Sequence, residues 1–323
     1  MQIEYITALN DLMTKDKRVC SLLSDSGTDF DIMMARDFPE QCYNFGIAEQ
    51  NKIAAASGMA ALGKIPYVST TGSFIAYRAY EFVRNDVCFQ NRNVKLVGMG
   101  MGMGMGSWST LGPSHHTTED ISALRALPNL TLMSASTPIQ LSKMIGLAYE
   151  IDGPVYIRMG MGGEDELYEP DHKFKVGKND TVIDGNDYVV FGTGTIMGEV
   201  YKAVKRFNDD GVSVRLEDVH TIKPLDTDGI LNALNDKKIA FSVEGHTILG
   251  GLGGAIAEVL ADSPCGVPLK RIGLYDTFAC GYGKTNQVRA ANNLDAEGIY
   301  KQIRTIIENL ENDGIYSNQR TDI

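Results

Sequence analysis

The sequence predicts an α/β fold of two doubly wound domains, each built on a mostly parallel sheet. In both halves of the chain, short apolar runs of strand length alternate with periodic or alanine-rich segments of helix length, which is typical of βαβ units. Between the halves, residues 160–179 are rich in glycine, proline and charge, as linkers often are. With 323 residues, the chain is long enough for two such domains.

The first half contains the larger set of predicted elements. Strands are predicted where apolar residues form short clusters, and helices where apolar positions repeat with helical spacing or alanine dominates. In chain order these are a helix over 2–14, strands at 18–23 and 43–46, a helix over 49–62, a strand at 65–69, a helix over 76–90, strands at 94–97 and 130–133, a helix that begins near Pro138, and a strand at 155–157.

The second half repeats the same alternation. In chain order its predicted elements are a strand at 188–191, a helix over 196–208, strands at 212–216 and 239–243, a helix over 254–260, a strand at 269–272 and a helix over 295–310. These elements place one domain at residues 1–165 and the other at residues 180–323, with a linker at 166–179.

The composition excludes several classes of protein. Acidic residues outnumber basic ones by 41 to 30, a net charge of −11, whereas binding to nucleic acid or to an anionic membrane requires a basic surface. No stretch approaches the roughly 20 apolar residues of a membrane span, and the N-terminus lacks the pattern of a signal peptide. Five cysteines without CxxC spacing indicate reduced thiols. We therefore expect a cytoplasmic protein that binds neither nucleic acid nor membrane.

Residues 98–106 form an unusual segment in which four methionines alternate with five glycines. Such an alternation has no stable place inside a helix or a central strand, so we expect a loop or the end of a strand. Two interpretations stay open. The methionines fill irregular gaps in the core, or the segment forms the rim of an active site, because it runs into the densest polar cluster of the chain.

A series of short motifs carries the functional information. The first is NFGIAEQN at residues 44–51, in which Glu49 follows a predicted strand and opens a helix, at the edge of the sheet where α/β folds bind ligands. The motifs that follow are YVST at 67–70, FIAY at 74–77, GPSH at 112–115, ED at 119–120 with LRALPN after it, PVYIR at 154–158, VFGTG at 190–194, TIKPLD at 221–226, VEGH at 243–246 and GGLGG at 250–254. In this order they resemble the motifs of transketolases and 1-deoxyxylulose-5-phosphate synthases.

The resemblance implies a thiamin diphosphate enzyme, with a pyrimidine-binding domain first and a smaller transketolase C-terminal-like domain after it. The chain lacks the Gly-Asp-Gly…Asn signature with which the family's N-terminal domain binds the diphosphate through a divalent metal. It therefore resembles the C-terminal subunit of a split transketolase. The implied partner is an N-terminal subunit that holds the diphosphate and Mg²⁺ or Ca²⁺. Together they would form an α2β2 heterotetramer that is active only when both chains are present.

The resemblance also assigns roles around the cofactor's pyrimidine. Glu49 matches the desolvated carboxyl group that hydrogen-bonds the ring nitrogen N1′ and favours the imino form of the 4′-amino group. Phe74 matches the ring that stacks on the pyrimidine, and Tyr77, three residues later on the same side of a helix, borders it. Simple core packing is the alternative for both aromatic residues. Asp25 falls near a family aspartate beside the cofactor.

Two histidines match the substrate side of the site. His115 corresponds to the family histidine that meets the donor's carbonyl or hydroxyl group, and an imidazole that titrates near neutrality suits proton transfer. His116 is a second candidate, either at the substrate or behind His115. No third Cys, His or acidic residue at ligand spacing joins them, so we predict no metal ligands in this chain.

The substrate is less determined than the reaction. The family places a phosphate-binding arginine where Met161 stands, and a His and an Asp in the loop that here reads SWSTL at 107–111. Phosphate recognition needs a cationic, multidentate donor. The donor sugar is thus either a ketose phosphate, held by Arg158 or by the partner chain, or a modified ketose such as a sulfosugar.

The leading interpretation is transfer of a two-carbon ketol unit from a ketose to an aldose, which the TIKPLD motif favours. One alternative keeps the cofactor but decarboxylates a 2-oxo acid, as 1-deoxyxylulose-5-phosphate synthases and the β-type subunits of 2-oxoacid dehydrogenase E1 do. An alternative of another class is a non-catalytic regulatory subunit, and the presence of Glu49, Phe74 and His115 argues against it.

Overall fold

Two mostly parallel sheets with helices around them form the molecule, which confirms the predicted α/β class. The computed structural model describes residues 1–24, 29–100, 102 and 110–312. The strands are β1 (Val19–Leu23), β2 (Cys42–Asn44), β3 (Ile65–Thr71), β4 (Lys95–Met99), β5 (Thr131–Ser134), β6 (Val155–Met159), β7 (Asp180–Ile183), β8 (Tyr188–Thr193), β9 (Val214–Asp218), β10 (Thr221–Lys223), β11 (Ile239–Thr247) and β12 (Leu269–Leu274). The α-helices are α1 (Gln2–Lys15), α2 (Asp29–Asp37), α3 (Glu49–Ala61), α4 (Tyr80–Phe82), α5 (Asp120–Leu124), α6 (Pro138–Glu150), α7 (Met197–Asp209), α8 (Thr227–Leu234), α9 (Leu252–Ala261), α10 (Thr285–Ala291) and α11 (Ala296–Asn312).

The first sheet has seven strands in the order β10-β5-β6-β4-β3-β1-β2, and the second has five in the order β12-β11-β8-β9-β7. Pairing is parallel except at one edge of each sheet, where β10 runs antiparallel to β5 and β7 runs antiparallel to β9. Strands β1, β4 and β6 are buried along their whole length. Such burial of every position, in place of alternation between a buried and an exposed face, is typical of a parallel sheet that is covered on both faces.

Helices cover the sheets in pairs. On the first sheet α1 packs against α6, and on the second α7 packs against α11. The apolar stripes of α7 and α11 meet in a core that includes Phe207 and Ile303. None of the helices in the described part of the chain has both the length and the apolar character that crossing a membrane requires.

Most predicted elements are present, with ends shifted by a few residues, but the helix predicted over 76–90 is wrong in form. It begins at Phe74, and its two ends, Phe74–Arg78 and Val83–Cys88, are π-helices with the short α4 between them. π-Helical turns are rare and occur frequently at functional sites. The first of these π-helices contains Phe74 and Tyr77, the two aromatic residues that are predicted to lie beside the cofactor's pyrimidine.

One strand connects the two halves of the chain. β10 follows the predicted linker in sequence, yet it forms an edge of the first sheet, and the adjacent His220 carbonyl accepts the main-chain N–H of Ser134 at 2.8 Å. Ile222 of this strand is buried in a core to which both halves contribute. The sequence predicts no strand here, because three residues are too few to show a period. Sheet pairing as well as the linker thus joins the halves.

Candidate active site

Glu49 lies where β2 leads into α3, at the carboxyl edge of the first sheet. The turn between them needs a left-handed residue: Gly46 has a φ of 68°, and its main-chain N–H donates to Asn44 Oδ1 at 2.8 Å. Glu49 is the first residue of α3, where the helix dipole favours a carboxylate. Only 1% of the residue is exposed, so its carboxyl group is desolvated, as its predicted role requires.

Arg78 connects Glu49 to Phe74. It is not among the site residues that the sequence predicts. Its Nη1 donates to Glu49 Oε2 at 3.2 Å, and its guanidinium carbon lies 4.7 Å from the centroid of the Phe74 ring. Residues four apart in a helical segment are neighbours. The spacing of four residues between an aromatic ring and a cation is therefore the signal in the sequence that could have identified Arg78.

His115 completes a group of three predicted residues that the structure brings together. Its ring meets the Phe74 ring edge-on, with 5.3 Å between the centroids. Its Nδ1 lies 3.0 Å from Ser114 Oγ. The loop turns at Gly112, whose φ is 75° and where an added Cβ would lie 2.4 Å from the Tyr282 ring. The left-handed backbone therefore favours glycine at this position of the GPSH motif, and the Tyr282 ring of the C-terminal half lies close to it. His116 follows in the chain and is buried.

Tyr77 lies beside this group but faces Glu119. Its hydroxyl donates to Glu119 Oε2 at 2.7 Å and accepts the main-chain N–H of Glu119 at 2.9 Å. Burial, followed by the negative charges of Asp120 and Glu119, raises the pKa of Tyr77. The phenol is therefore a stable hydrogen-bond donor at neutral pH, and it links the π-helix to the motif that follows GPSH.

Arg158 lies in β6 and is buried in an ion pair instead of facing an open pocket. Its Nε and Nη2 donate to Asp120 Oδ2 and Oδ1 at 2.7 and 3.0 Å, and its Nη1 donates to Ser134 Oγ at 2.9 Å. The Tyr156 hydroxyl also donates to Asp120, at 3.0 Å. Contact between Arg158 and substrate stays a prediction, since the guanidinium already has protein partners on all three nitrogens.

The C-terminal half contributes a buried polar pair from the VEGH motif, to which the sequence alone assigns no role. His246 Nε2 accepts the main-chain N–H of Ile121 at 3.2 Å, and burial lowers the pKa of His246 to about 4. Glu244 accepts the main-chain N–H groups of Leu252 and Gly253 at the start of α9, at 2.7 and 2.9 Å. Burial raises the pKa of Glu244 to about 7. His246 therefore holds α5, and with it Asp120, against the second half, while Glu244 holds the start of α9 within that half.

A buried lysine lies on the same helix as Glu49. Lys52 donates to the carbonyl of Ser69 at 2.8 Å and to Ser24 Oγ, so it ties α3 to the ends of β1 and β3. No motif of the sequence marks it, because a lysine one turn into a helix is ordinarily exposed. Its contacts hold the start of α3, and therefore Glu49, at the sheet edge.

Several predictions concern residues outside the described part of the chain. Asp25 and most of the segment 98–106 belong to this group. The first two residues of that segment end β4, and a Cβ added at Gly102 would lie 2.6 Å from the carbonyl oxygen of Gly245. A glycine is thus needed where the two halves approach each other. Both interpretations of the methionines stay open.

The arrangement fits the pyrimidine end of thiamin diphosphate. That ring is planar, carries N–H donors and needs both an acceptor and an aromatic face. The guanidinium of Arg78 is likewise planar with N–H donors, and it makes both contacts, to Glu49 and to Phe74. We call the place that the Arg78 guanidinium occupies between Glu49 and Phe74 the slot, and its acceptor and its aromatic ring have the chemistry that the pyrimidine needs. Within the residues that the structure describes, no group of three or more His, Cys, Asp or Glu is arranged to hold a metal ion.

Comparison with known proteins gives matches along both halves of the chain. The family model described as transketolase, pyrimidine binding domain, matches residues 5–161, and the one described as transketolase, C-terminal domain, matches residues 177–299. The chain is 35% identical to a putative transketolase C-terminal section of Methanocaldococcus jannaschii, over 94% of this chain and 95% of that protein. It is 33% identical to one subunit of the apulose-4-phosphate transketolase of Actinobacillus succinogenes, over 82% of this chain and 84% of that protein.

A solved structure matches along nearly the whole chain as well. It is described as a split gene transketolase, an inactive beta4 tetramer. It superposes with a TM-score of 0.85 at 30% identity, covering 94% of this chain and 96% of that chain.

Proposed function

Because this chain belongs to the transketolase family, we propose that it is the C-terminal subunit of a split transketolase. In this proposal it transfers a two-carbon ketol unit from a ketose, phosphorylated or otherwise modified, to an aldose acceptor. The observation that carries the proposal is the slot between Glu49 and Phe74, with His115 at its edge. The relatives named as transketolase sections and subunits support the reaction class.

Each residue of the slot has a definite task. When bound, thiamin diphosphate supplies the electron sink for breaking the carbon–carbon bond beside the ketose carbonyl. Glu49 holds the hydrogen bond to the pyrimidine nitrogen at a buried carboxyl group. Phe74 provides the stacking face, and Tyr77 and Asp25 border the ring.

The substrate side uses the histidines. His115 exchanges a proton with the hydroxyl or carbonyl oxygen of the sugar, as a positioned imidazole does in general acid–base catalysis. His116 supports it from behind. Arg158 is also proposed to bind the substrate. In that role its guanidinium would release the Asp120 carboxylate and bind the substrate in its place.

The proposal includes a partner subunit that binds the diphosphate and Mg²⁺ or Ca²⁺, in an α2β2 heterotetramer. Large apolar side chains are exposed around the elements of the slot: Ile47, Leu62 and Phe89 are 75%, 88% and 83% exposed. Such residues are common at interaction surfaces. The solved relative is a tetramer of beta chains that is described as inactive, which agrees with a chain that needs a partner. None of the five cysteines, all of which lie in the described part of the chain, forms a disulfide, which supports placing the enzyme in the reducing cytoplasm.

The test uses the two chains together. Ketol transfer is measured from a panel of phosphorylated and unphosphorylated ketoses to aldose acceptors, and CO₂ release from pyruvate is measured on the same preparation. We expect transfer from at least one ketose and no CO₂ release above that of a preparation without cofactor. CO₂ release that replaces transfer would contradict the proposal and favour an enzyme that decarboxylates 2-oxo acids.

A further inference from the structure

Arg78 makes the contacts that the aminopyrimidine needs. It donates to Glu49 Oε2 at 3.2 Å, and its guanidinium carbon lies 4.7 Å from the centre of the Phe74 ring. A guanidinium stacks on an aromatic face much as a flat ring does. Two planar groups cannot cover the same face of Phe74 and reach the same carboxylate oxygen at once. Arg78 and the cofactor are therefore competitors for one place.

The two ends of the ion pair differ in their access to water. The Glu49 side chain is 2% exposed and the Arg78 side chain is 46% exposed. A buried carboxylate without a compensating charge is strongly destabilising, so Glu49 needs a partner whenever the pyrimidine is absent. The long, flexible stem of Arg78 allows the guanidinium to leave toward solvent by changing rotamers, without movement of the helix that carries it.

We propose that Arg78 is a placeholder for the cofactor's aminopyrimidine: it compensates Glu49 and covers Phe74 until the ring arrives, and then turns out into solvent. This inference rests on the proposed function, because it assumes that thiamin diphosphate binds at Glu49. It makes Arg78 a positioning residue for the cofactor site. The affinity for thiamin diphosphate then includes the cost of displacing Arg78.

The test is cofactor affinity in the two-chain complex, measured by titration calorimetry with thiamin diphosphate and Mg²⁺. Arg78→Met keeps an apolar stem and removes the competing cation. We expect the dissociation constant of this variant to fall about fivefold, equivalent to about 1 kcal/mol. Heat stability without cofactor should fall, and the rise in melting temperature on adding cofactor should be larger than in the wild type.

Two further variants make the result decisive. Arg78→Lys keeps the charge that Glu49 needs but loses the planar face, so it should fold like the wild type and bind the cofactor tighter by a smaller factor. Arg84→Met removes an exposed cation that pairs with Asn85 in the same helical segment, and it should leave the affinity unchanged. Unchanged or weaker binding in both Arg78 variants would overturn the placeholder. A wild-type complex that binds no thiamin diphosphate would instead refute the proposed function.

Discussion

Arg158 and Asp120 form an ion pair in the interior, and His246 of the second half lies beside it, 3.8 Å from Asp120 Oδ1. Both side chains are at most 5% exposed, and Tyr156 and Ser134 add hydrogen bonds to the pair. Arg158→Met leaves the Asp120 charge buried without its cation. We expect a loss of about 3–5 kcal/mol in the free energy of unfolding, measured by urea denaturation.

A matched control is available at the surface. Arg36 and Asp37 form an exposed pair, so Arg36→Met should cost less than about 1 kcal/mol. Equal losses in the two variants would contradict this prediction, because the buried pair would then contribute no more to stability than an exposed one.

Lys95 gives the fold a pH dependence of known sign. Its Nζ is buried and donates to the carbonyls of Ile151 and Gly153 at 2.6 and 2.9 Å, and burial lowers the pKa of Lys95 to about 7. The pKa of a lysine in an unfolded chain is about 10.4. Between these values the unfolded chain binds a proton that the folded chain does not, so this group makes stability rise as the pH increases.

The variant Lys95→Met should remove that contribution. Between about pH 7 and about pH 10, we expect the urea midpoint of the wild type to rise relative to that of the variant as the pH increases. Parallel curves for the two proteins over this range would mean that Lys95 keeps its proton in the folded state.

Sequence and structure contribute differently to the site at the scale of residues. Glu49, Phe74 and His115 could be predicted because each belongs to a motif whose order along the chain is informative, and the structure brings them together. Lys52 could not, since its importance comes from neighbours that only the fold supplies. For Arg78 the sequence offers one signal, its spacing of four residues from Phe74, while the contact with Glu49 is visible only in the fold. The same holds for Asp120, which the sequence marks as polar but which becomes a partner of Arg158 only through β6.

At the scale of elements, residues 166–179, predicted as a linker, contact the end of β9 through Tyr168, and we call this segment the strap. The Tyr168 hydroxyl donates to Asp218 Oδ2 at 2.7 Å, and Ser136 Oγ and Gln140 Nε2 also donate to this carboxylate, at 2.8 and 3.0 Å. Burial raises the pKa of Asp218. The carboxyl group at the end of β9 therefore depends on donors from the linker and from the first half.

Tyr168→Phe removes one of these three donors. We expect a loss of about 1.5–3 kcal/mol in the free energy of unfolding, the range for a hydrogen bond to a charged group. Tyr275→Phe is the control: its hydroxyl donates to the Arg271 carbonyl at an exposed position and should cost under about 0.5 kcal/mol. A negligible loss for Tyr168→Phe in urea denaturation would mean that the strap does not stabilise the fold.

Elements were predicted best where they are long enough to show a clear hydrophobic period. The helix predicted over 2–14 and the apolar strands of the first sheet appear within a few residues of their predicted places. Short elements such as β7 and β10 have no readable period, and both are antiparallel edge strands whose pairing depends on partners elsewhere in the chain. The π-helical form of Phe74–Arg78 is likewise invisible to a pattern based on 3.6 residues per turn.

At the scale of the whole molecule, we infer that this chain supplies the pyrimidine end of an active site. The slot lies at the sheet edge, with exposed apolar side chains on the elements around it. The described residues offer no cluster for a metal ion, and the cofactor's diphosphate is assigned to the partner. In the proposed enzyme, the chemistry therefore belongs to the assembly and to neither chain alone.

The most direct test is ketol transfer by this chain alone, by its partner alone, by the two mixed, and by the partner mixed with Glu49→Gln. Only the wild-type mixture should be active. Glu49→Gln should elute with the partner like the wild type and lose at least about 100-fold in rate. Glu81→Gln, on the neighbouring helical segment, should keep full activity. Transfer by this chain alone, or full activity in Glu49→Gln, would contradict the proposed division of the site between two chains.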